Sequence, residues 1–339
     1  MTFRARHQRT PLTAGRLAGI VVLLSAVLTI FVVIGLSFGS VGVPLSHVFG
    51  ALTGSDAVPA PERTIVVGLR LPRVLLAMIV GAGLSVAGLV FQALLRNPLA
   101  EPYILGISSG GTVGALVALS LSLGASVITT PVASFVGSAA VMLLVYLLAH
   151  RRGQLDTYTL LLSGVMIGAF FNAAVLLIIA VSDQEMRNAF LWLMGNLSNA
   201  RMESIAIVGP ALLATSIFLL LNAKAYNLIA TGEESAMQLG INVPSLKRFS
   251  YLAGSLITGL AVSVSGVVGF VGLIIPHVCR MLFGPDHRVL LPASLLVGAS
   301  FMILADLLAR VVLSPAEIPV GAVTAAIGAP LFVYLLKRS

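Results

Sequence analysis

The sequence predicts an all-α polytopic membrane protein with about ten transmembrane helices, an inverted internal repeat, and short or broken helices. Three observations predict this fold. Of the 339 residues, 58% are hydrophobic and only 9% are charged, whereas soluble domains carry about a quarter charged residues. Apolar runs of membrane-spanning length follow one another along the chain, and a short motif with a trailing proline occurs twice.

The apolar runs account for nearly the whole chain. Runs that are long enough to cross a membrane lie near 17–37, 68–92, 103–120, 127–149, 158–181, 203–222, 249–267, 270–283, 289–312 and 319–336. The third and eighth are short or interrupted by Gly and Pro. Because no soluble domain or linker separates the runs, we predict one transmembrane domain over 1–339.

The basic residues indicate the orientation of the chain. Of the 20 Lys and Arg, only six fall on the side opposite the N-terminus: Arg63, Arg70, Arg73, Arg187, Arg201 and Arg310. Cytoplasmic loops carry the excess of Lys and Arg, so both termini are predicted in the cytoplasm. Met1–Arg16 carries four arginines before an apolar run too long for a signal peptide. An interfacial helix is predicted over 182–202.

The repeated motif predicts a duplicated unit. Ser85–Val90 returns as Ser263–Val268, and a proline follows each copy, Pro98 and Pro276. Since an odd number of spans separates the copies, the half-repeats 68–181 and 249–336 run in opposite directions, as in many transporters. Prolines interrupt helices, so breaks are predicted at Pro98, Pro102 and Pro276.

Three arginines lie at the mouths of spans on the predicted outer side. Arg70 and Arg73 open the second span, and Arg310 ends the ninth, one turn after Asp306. They could be interfacial arginines that snorkel to water, and Arg310 could pair with Asp306 at i,i+4 spacing. They could equally form a docking site for an acidic partner.

The segment 223–248 is polar and lies on the predicted cytoplasmic side. Glu233 and Glu234 are followed by Leu239 and Gly240. Acids at the start of a helix and a glycine at its end are typical capping residues. We therefore predict a short helix that protrudes from the membrane and serves as a lever for a partner.

Several chemistries are excluded by the residues. A single cysteine, Cys279, excludes a disulfide and a cysteine-only metal cluster, and no metal site or cofactor is expected. The basic residues are too scattered for nucleic acid, and neither a phosphate loop nor a catalytic set is present. An ion-coupled secondary transporter remains an alternative, although Asp306 is the only acid well inside a span.

The motifs together resemble the permease subunit of the ATP-binding-cassette importers for cobalamin, haem and ferric siderophores. The resemblance covers essentially the whole chain beyond the first span. Its motifs are Arg70–Arg73, Gln92, Asn97–Ala100, Leu105–Gly106, Trp192–Gly195, Glu233–Gly240, Gly269–Leu273, Pro276–His277, Arg280, Asp306–Arg310 and Pro319–Pro330.

The resemblance implies a homodimer in the bacterial inner membrane around one central path. It also implies two cytoplasmic ATPase subunits and a substrate-binding protein outside. The arginines 70, 73 and 310 would accept salt bridges from the binding protein, and the helix at 233–240 would sit in a groove of the ATPase. Asn97 and Leu99, with Asp156 and Thr157 by position, would form the cytoplasmic gate. The cargo stays open among the three chelates.

Overall fold

The computed structural model describes residues 13–121, 128–151, 153–181, 190 and 192–338, and these residues are mostly helical. The helices are α1 (Ala14–Ser37), α2 (Leu45–Thr53), α3 (Ala60–Leu94), α4 (Ile107–Ser120), α5 (Thr129–Ala149), α6 (Thr157–Val181), α7 (Met202–Leu221), α8 (Ala223–Thr231), α9 (Glu233–Gln238), α10 (Val243–Ser265), α11 (Val271–Phe283), α12 (His287–Val311) and α13 (Val320–Arg338). Strands β1 (His150–Arg151) and β2 (Gln154–Leu155) form a small antiparallel hairpin.

The ten predicted spans all correspond to helices. By length and hydropathy, α1, α3, α5, α6, α7 and α12 are able to cross a membrane. Helices α4 and α11 and the Val320–Tyr334 part of α13 are apolar but shorter. Helix α10 is 23 residues long and begins at Val243 rather than near 249. The all-α polytopic prediction is confirmed. Most of the N-terminal arginines lie outside the described residues, as do 182–189 and 191 of the predicted interfacial helix, and 194–201 of that segment is not helical.

Helix α3 is the central helix of the bundle. It includes a π-helical segment, Thr64–Arg70, and most of its residues beyond Pro72 are buried. Small residues permit this burial. A Cβ at Gly81 would lie 2.3 Å from the carbonyl oxygen of Gly298, and one at Gly88 would lie 2.0 Å from that of Gly272. The backbones of α12 and α11 therefore approach α3 directly, which is how small residues act in membrane bundles.

The two halves of the chain pack in a matched way. Helix α3 of the first half packs on α11 and α12 of the second, and α10 of the second half packs on α4 and α5 of the first. Within the halves, α4 contacts α5 and α6, while α11 contacts α12 and α13. Helix α3 of the first half therefore corresponds to α10 of the second, and α4 corresponds to α11. This correspondence is expected of an internal duplication.

The prediction of a helix break at Pro276 is wrong. Pro276 lies inside α11, and the break in the second half is the preceding segment, 266–270. The break at Pro98 and Pro102 is confirmed, because both lie between the end of α3 and the start of α4. The two motif copies are consequently not equivalent in structure. Ser85–Val90 is helical throughout, whereas Ser263–Val268 runs out of α10 through Gly266, whose φ is +67°.

Candidate functional site

The two helix breaks contact each other inside the bundle. The Glu101 carboxylate accepts a hydrogen bond from the backbone N–H of Phe270 at 2.5 Å, and the Tyr103 hydroxyl accepts one from the N–H of Val268 at 3.1 Å. The start of α11 lies against Gly88, well before the end of α3. Irregular backbone at such depth requires protein or water partners for its polar groups, and here Glu101 and Tyr103 of the first break supply acceptors for backbone N–H groups of the second.

Glu101 explains how α11 can begin at this depth. The first N–H groups of a helix have no partner within it, and the N-terminus carries partial positive charge. The half-buried Glu101 carboxylate satisfies one N–H beside this end. Phe270 adopts φ +69°, a conformation that costs energy for a bulky residue. Sequence reasoning counted Asp306 as the interior acid and missed Glu101, although its place between Pro98 and Pro102 was the available signal.

Gln92 supplies a hydrogen-bond donor in place of the one that Pro276 removes from α11. Because Pro276 has no N–H, the carbonyl of Gly272 lacks its helical donor. The Nε2 of Gln92, on α3, lies 3.4 Å from this carbonyl oxygen and 3.4 Å from that of Ala100 in the first break. Its Oε1 accepts a hydrogen bond from Arg280 at 2.9 Å. One buried amide thus joins α3, α11 and the first break.

The predicted docking arginines gather at one end of the bundle, which we call the arginine end (Arg70, Arg73 and Arg310). They are 5%, 8% and 6% exposed. Arg70 and Arg310 donate to backbone carbonyls at and just after the end of α1. These acceptors are Leu36, Ser37 and Val41 for Arg70, and Gly35 and Phe38 for Arg310.

Asp306 lies between the guanidinium groups of Arg73 and Arg310. Its Oδ1 is 2.7 Å from Nε of Arg73, and its Oδ2 is 3.0 Å from Nε of Arg310, an ion-pair contact without hydrogen-bond geometry. Arg73 also pairs with the half-exposed Glu317 at 2.8 Å. The geometry therefore favours the Asp306–Arg310 pair over outward presentation. The docking role stays a prediction.

At the other end, which we call the short-helix end, lie α8, α9 and the start of α10. Helix α9 begins at Glu233 as predicted, and Gly240 follows it with φ +86°. The Glu233 carboxylate accepts a hydrogen bond from Lys247 at 2.9 Å. Glu234 is exposed, and Leu239 is 64% exposed. The helix therefore presents both acidic and apolar groups to its surroundings.

The predicted gate residues form two separate groups at this end. Asp156 caps α6 by accepting from the N–H of Thr159 at 2.6 Å, and this hydrogen bonding holds the pKa of Asp156 below its ordinary value. Thr157 accepts a hydrogen bond from Lys247 at 2.7 Å. In the first break, the Asn97 side chain accepts from the N–H of Leu99 at 2.9 Å. Among the described residues, no hydrogen bond joins the two groups.

Helix α8 is attached to α12 by a polar cluster that the sequence did not indicate. The Asn227 amide donates to Asp286 at 2.7 Å, and its oxygen accepts from the backbone N–H of His287 at 2.8 Å. Asp286 caps α12 and also pairs with Arg288 at 2.6 Å. This pairing lowers the pKa of Asp286 to about 2. In the part of the chain that is described, no group of three or more metal-binding side chains occurs.

Comparison with known proteins agrees with this architecture. The FecCD transport family model matches residues 27–338. The chain is 43% identical over 280 residues to the cobalamin import permease BtuC of Halobacterium salinarum, covering 83% of this chain and 75% of the relative. It is 40% identical over 321 residues to the hemin permease HmuU of Yersinia pestis, covering 93% and 95%.

A solved structure shares the fold over nearly the whole chain. It is an ABC transporter of the metal-chelate type in an inward-facing conformation, 34% identical in sequence, with a TM-score of 0.82. The match covers 95% of this chain and 100% of the solved one. The chain therefore belongs to the FecCD transport family of membrane permeases.

Proposed function

We propose that the chain is the membrane-spanning permease subunit of an ATP-driven importer for a large metal chelate, namely cobalamin, haem or a ferric siderophore. Its family membership supports a transport role. The observation that carries the proposal is helix α9, which lies outside the spans and, with the Leu239 that follows it, exposes the side chains of Glu234 and Leu239. Exposed apolar residues beside charged ones are typical of a docking surface.

The short-helix end is the proposed site of the ATPase subunits. The chain has no phosphate loop, so hydrolysis would occur in this partner. Glu233, Glu234, Leu239 and Gly240 would lie in a groove of the ATPase. Lys224, Lys247 and Arg248 belong to this end, and the positive-inside rule supports placing it in the cytoplasm with both termini, in the inner membrane of a bacterium.

The remaining assembly follows from the same proposal. A second copy of the chain would complete a central path, as in the homodimers that the sequence resembles. Asn97 and Leu99, with Asp156 and Thr157, would close the path on the cytoplasmic side. A substrate-binding protein would dock at the arginine end and deliver the chelate.

The arrangement of the acids disfavours ion coupling as the alternative. A proton or sodium relay needs an acid that is free to bind and release the ion. Asp306 lies between two arginines, and Glu101 is occupied by the backbone of Phe270. Neither acid is therefore free to cycle without breaking an internal contact.

Reconstituted transport tests the proposal. The chain would be co-purified with an ATPase subunit and a binding protein encoded beside it, and placed in liposomes. We expect uptake of one of the three chelates that requires ATP and an intact ATPase phosphate loop. Uptake driven by an ion gradient without the ATPase would overturn the proposal and establish the alternative.

A further inference from the structure

Lys247 contacts both α9, the proposed ATPase-docking helix, and the start of α6, which belongs to the proposed gate. It lies near the start of α10, and its side chain is only 8% exposed. Its Nζ is 2.9 Å from Oε1 of Glu233, the first residue of α9. The same Nζ is 2.7 Å from Oγ1 of Thr157, the first residue of α6. One ammonium group therefore bridges the proposed ATPase-docking helix and the proposed gate.

The bridge is held firmly by electrostatics. A buried ammonium group is stable only when it is paired and hydrogen-bonded, and here the carboxylate and the hydroxyl meet this need together. Moving Glu233 away without Lys247 following would take from the buried charge the carboxylate to which it is hydrogen-bonded. A displacement of α9 is therefore opposed unless Lys247 and Thr157 move with it.

Apolar packing alone does not provide this connection. Ala236 of α9 packs in a small cluster with Ile229 of α8 and Val243 of α10, and this cluster does not extend to α6. Within the described ranges, no other hydrogen bond or ion pair connects α9 to α6. Beside the bridge lies an open cleft of about 800 Å³ whose lining includes Asp156, Thr157 and Lys247.

We propose that Lys247 is the positioning residue that couples α9 to the start of α6, so that movement of α9 by the ATPase shifts Thr157 at the gate. The inference rests on the proposed function and adds the residue through which the two sites communicate. A partner shifts an equilibrium only by interacting differently with its two states. The Lys247 bridge transmits that difference from α9 to α6.

The test measures uptake and ATP hydrolysis together in the reconstituted complex. Lys247→Met keeps an unbranched side chain that is shorter by one atom and removes its charge. Because Lys247 is buried beneath α9, we expect normal affinity for the ATPase and continued hydrolysis. Uptake per ATP should fall by about tenfold or more, within the usual range of coupling between sites. Lys337→Met, at an exposed position of α13 outside the short-helix end, is the matched control and should keep the wild-type ratio.

Two further variants distinguish coupling from a merely structural role. Thr157→Val keeps the Lys247–Glu233 pair and removes only the link to α6, so it should lower the ratio while the complex stays folded, because the buried charge keeps its counter-ion. Lys247→Glu combined with Glu233→Lys restores an opposite-charge pair, and the new carboxylate accepts from the Thr157 hydroxyl. The double variant should recover uptake per ATP relative to Lys247→Glu alone.

The outcomes separate the inference from the proposed function. A wild-type ratio in both Lys247→Met and Thr157→Val, in complexes that transport normally, would overturn the coupling role. If Lys247→Met does not yield folded protein, the result for Thr157→Val decides. Absence of ATP-driven uptake in the wild-type complex itself would instead count against the proposed function.

Discussion

The Glu101 carboxylate lies 2.5 Å from the backbone nitrogen of Phe270, and this hydrogen bond joins the two helix breaks of the chain. The contact lies at the N-terminus of α11, where the helix dipole favours negative charge. The contact also holds Phe270 in its left-handed conformation. An acid that belongs to neither helix therefore links the first break to the start of α11.

The first prediction concerns this contact. Glu101→Ala leaves the N–H of Phe270 without its acceptor, so the protein should lose about 1–3 kcal/mol of stability. Glu101→Gln retains an acceptor oxygen without the charge and should lose less. Thermal unfolding in detergent micelles measures both. Equal stability of the alanine variant and the wild type would show that water replaces the carboxylate.

A second prediction is a double-mutant cycle between Gln92 and Pro276. Gln92→Leu removes the donor to the Gly272 carbonyl and should destabilise the wild type by about 1–3 kcal/mol. Pro276→Ala supplies a backbone N–H that can bond the same carbonyl. The loss caused by Gln92→Leu should therefore be smaller in the Pro276→Ala background. If the free energies of unfolding lost in the two single variants, measured with denaturant, add up to the loss in the double variant, Gln92 does not compensate for Pro276.

The sequence could predict the spans because the membrane imposes a local requirement. Each crossing segment has to be apolar and satisfy its own backbone, so the predicted run 270–283 agrees with α11 at Val271–Phe283. The short helix α9 was also predictable, since Glu233 is its first residue and Gly240 follows within one turn of its end. These features depend on residues that are close in sequence.

The features that the sequence could not predict depend on distant partners. Pro276 remains helical with the help of Gln92 from another half-repeat. The burial of Arg70 depends on carbonyl groups at the end of α1, and Lys247 depends on Thr157. None of these pairings leaves a local pattern. The proline and the arginines were accordingly assigned from spacing and topology alone.

A third prediction tests the close approach of α3 and α11. A Cβ added at Gly88 would lie 2.0 Å from the Gly272 carbonyl oxygen, so Gly88→Ala forces the backbones apart. We expect a loss of about 1–3 kcal/mol or more from overpacking. Gly19→Ala in α1 is the control, because a Cβ there meets no atom within 4 Å. Unfolding midpoints that shift equally in the two variants would argue against the contact.

The fourth prediction is a pH dependence at Asp286. Hydrogen bonds from Arg288 and Asn227 lower the pKa of Asp286 from 3.8 to about 2. A depressed pKa means that the charged form stabilises the fold above about pH 4, and that this stability is lost as the pH falls towards 2. Asp286→Asn keeps the helix cap but not the charge. Its unfolding temperature should lie below that of the wild type at pH 7 and approach it at pH 3. A gap of constant size across this range would exclude the carboxylate as its cause.

The fifth prediction separates the two roles of the arginine end. Charges that dock a partner act mainly by attracting it over a long distance, which raises the association rate. Any cationic side chain provides this attraction, and salt screens it. The internal contacts of Arg70 instead need several donors in a fixed geometry, which lysine lacks. Arg70→Lys should therefore keep the association rate of a binding protein but lower the thermal stability.

Surface plasmon resonance at two ionic strengths, with the complex held in nanodiscs, measures the association rate in this comparison. Arg70→Gln, Arg73→Gln and Arg310→Gln remove the charge altogether. If a folded glutamine variant associates more slowly and loses its salt dependence, the arginine docks the binding protein. If the glutamine variants associate at the wild-type rate but unfold at lower temperature, the arginines serve the fold. Asp306→Asn should then destabilise by about 3–5 kcal/mol, because it leaves two buried guanidinium groups without their shared carboxylate.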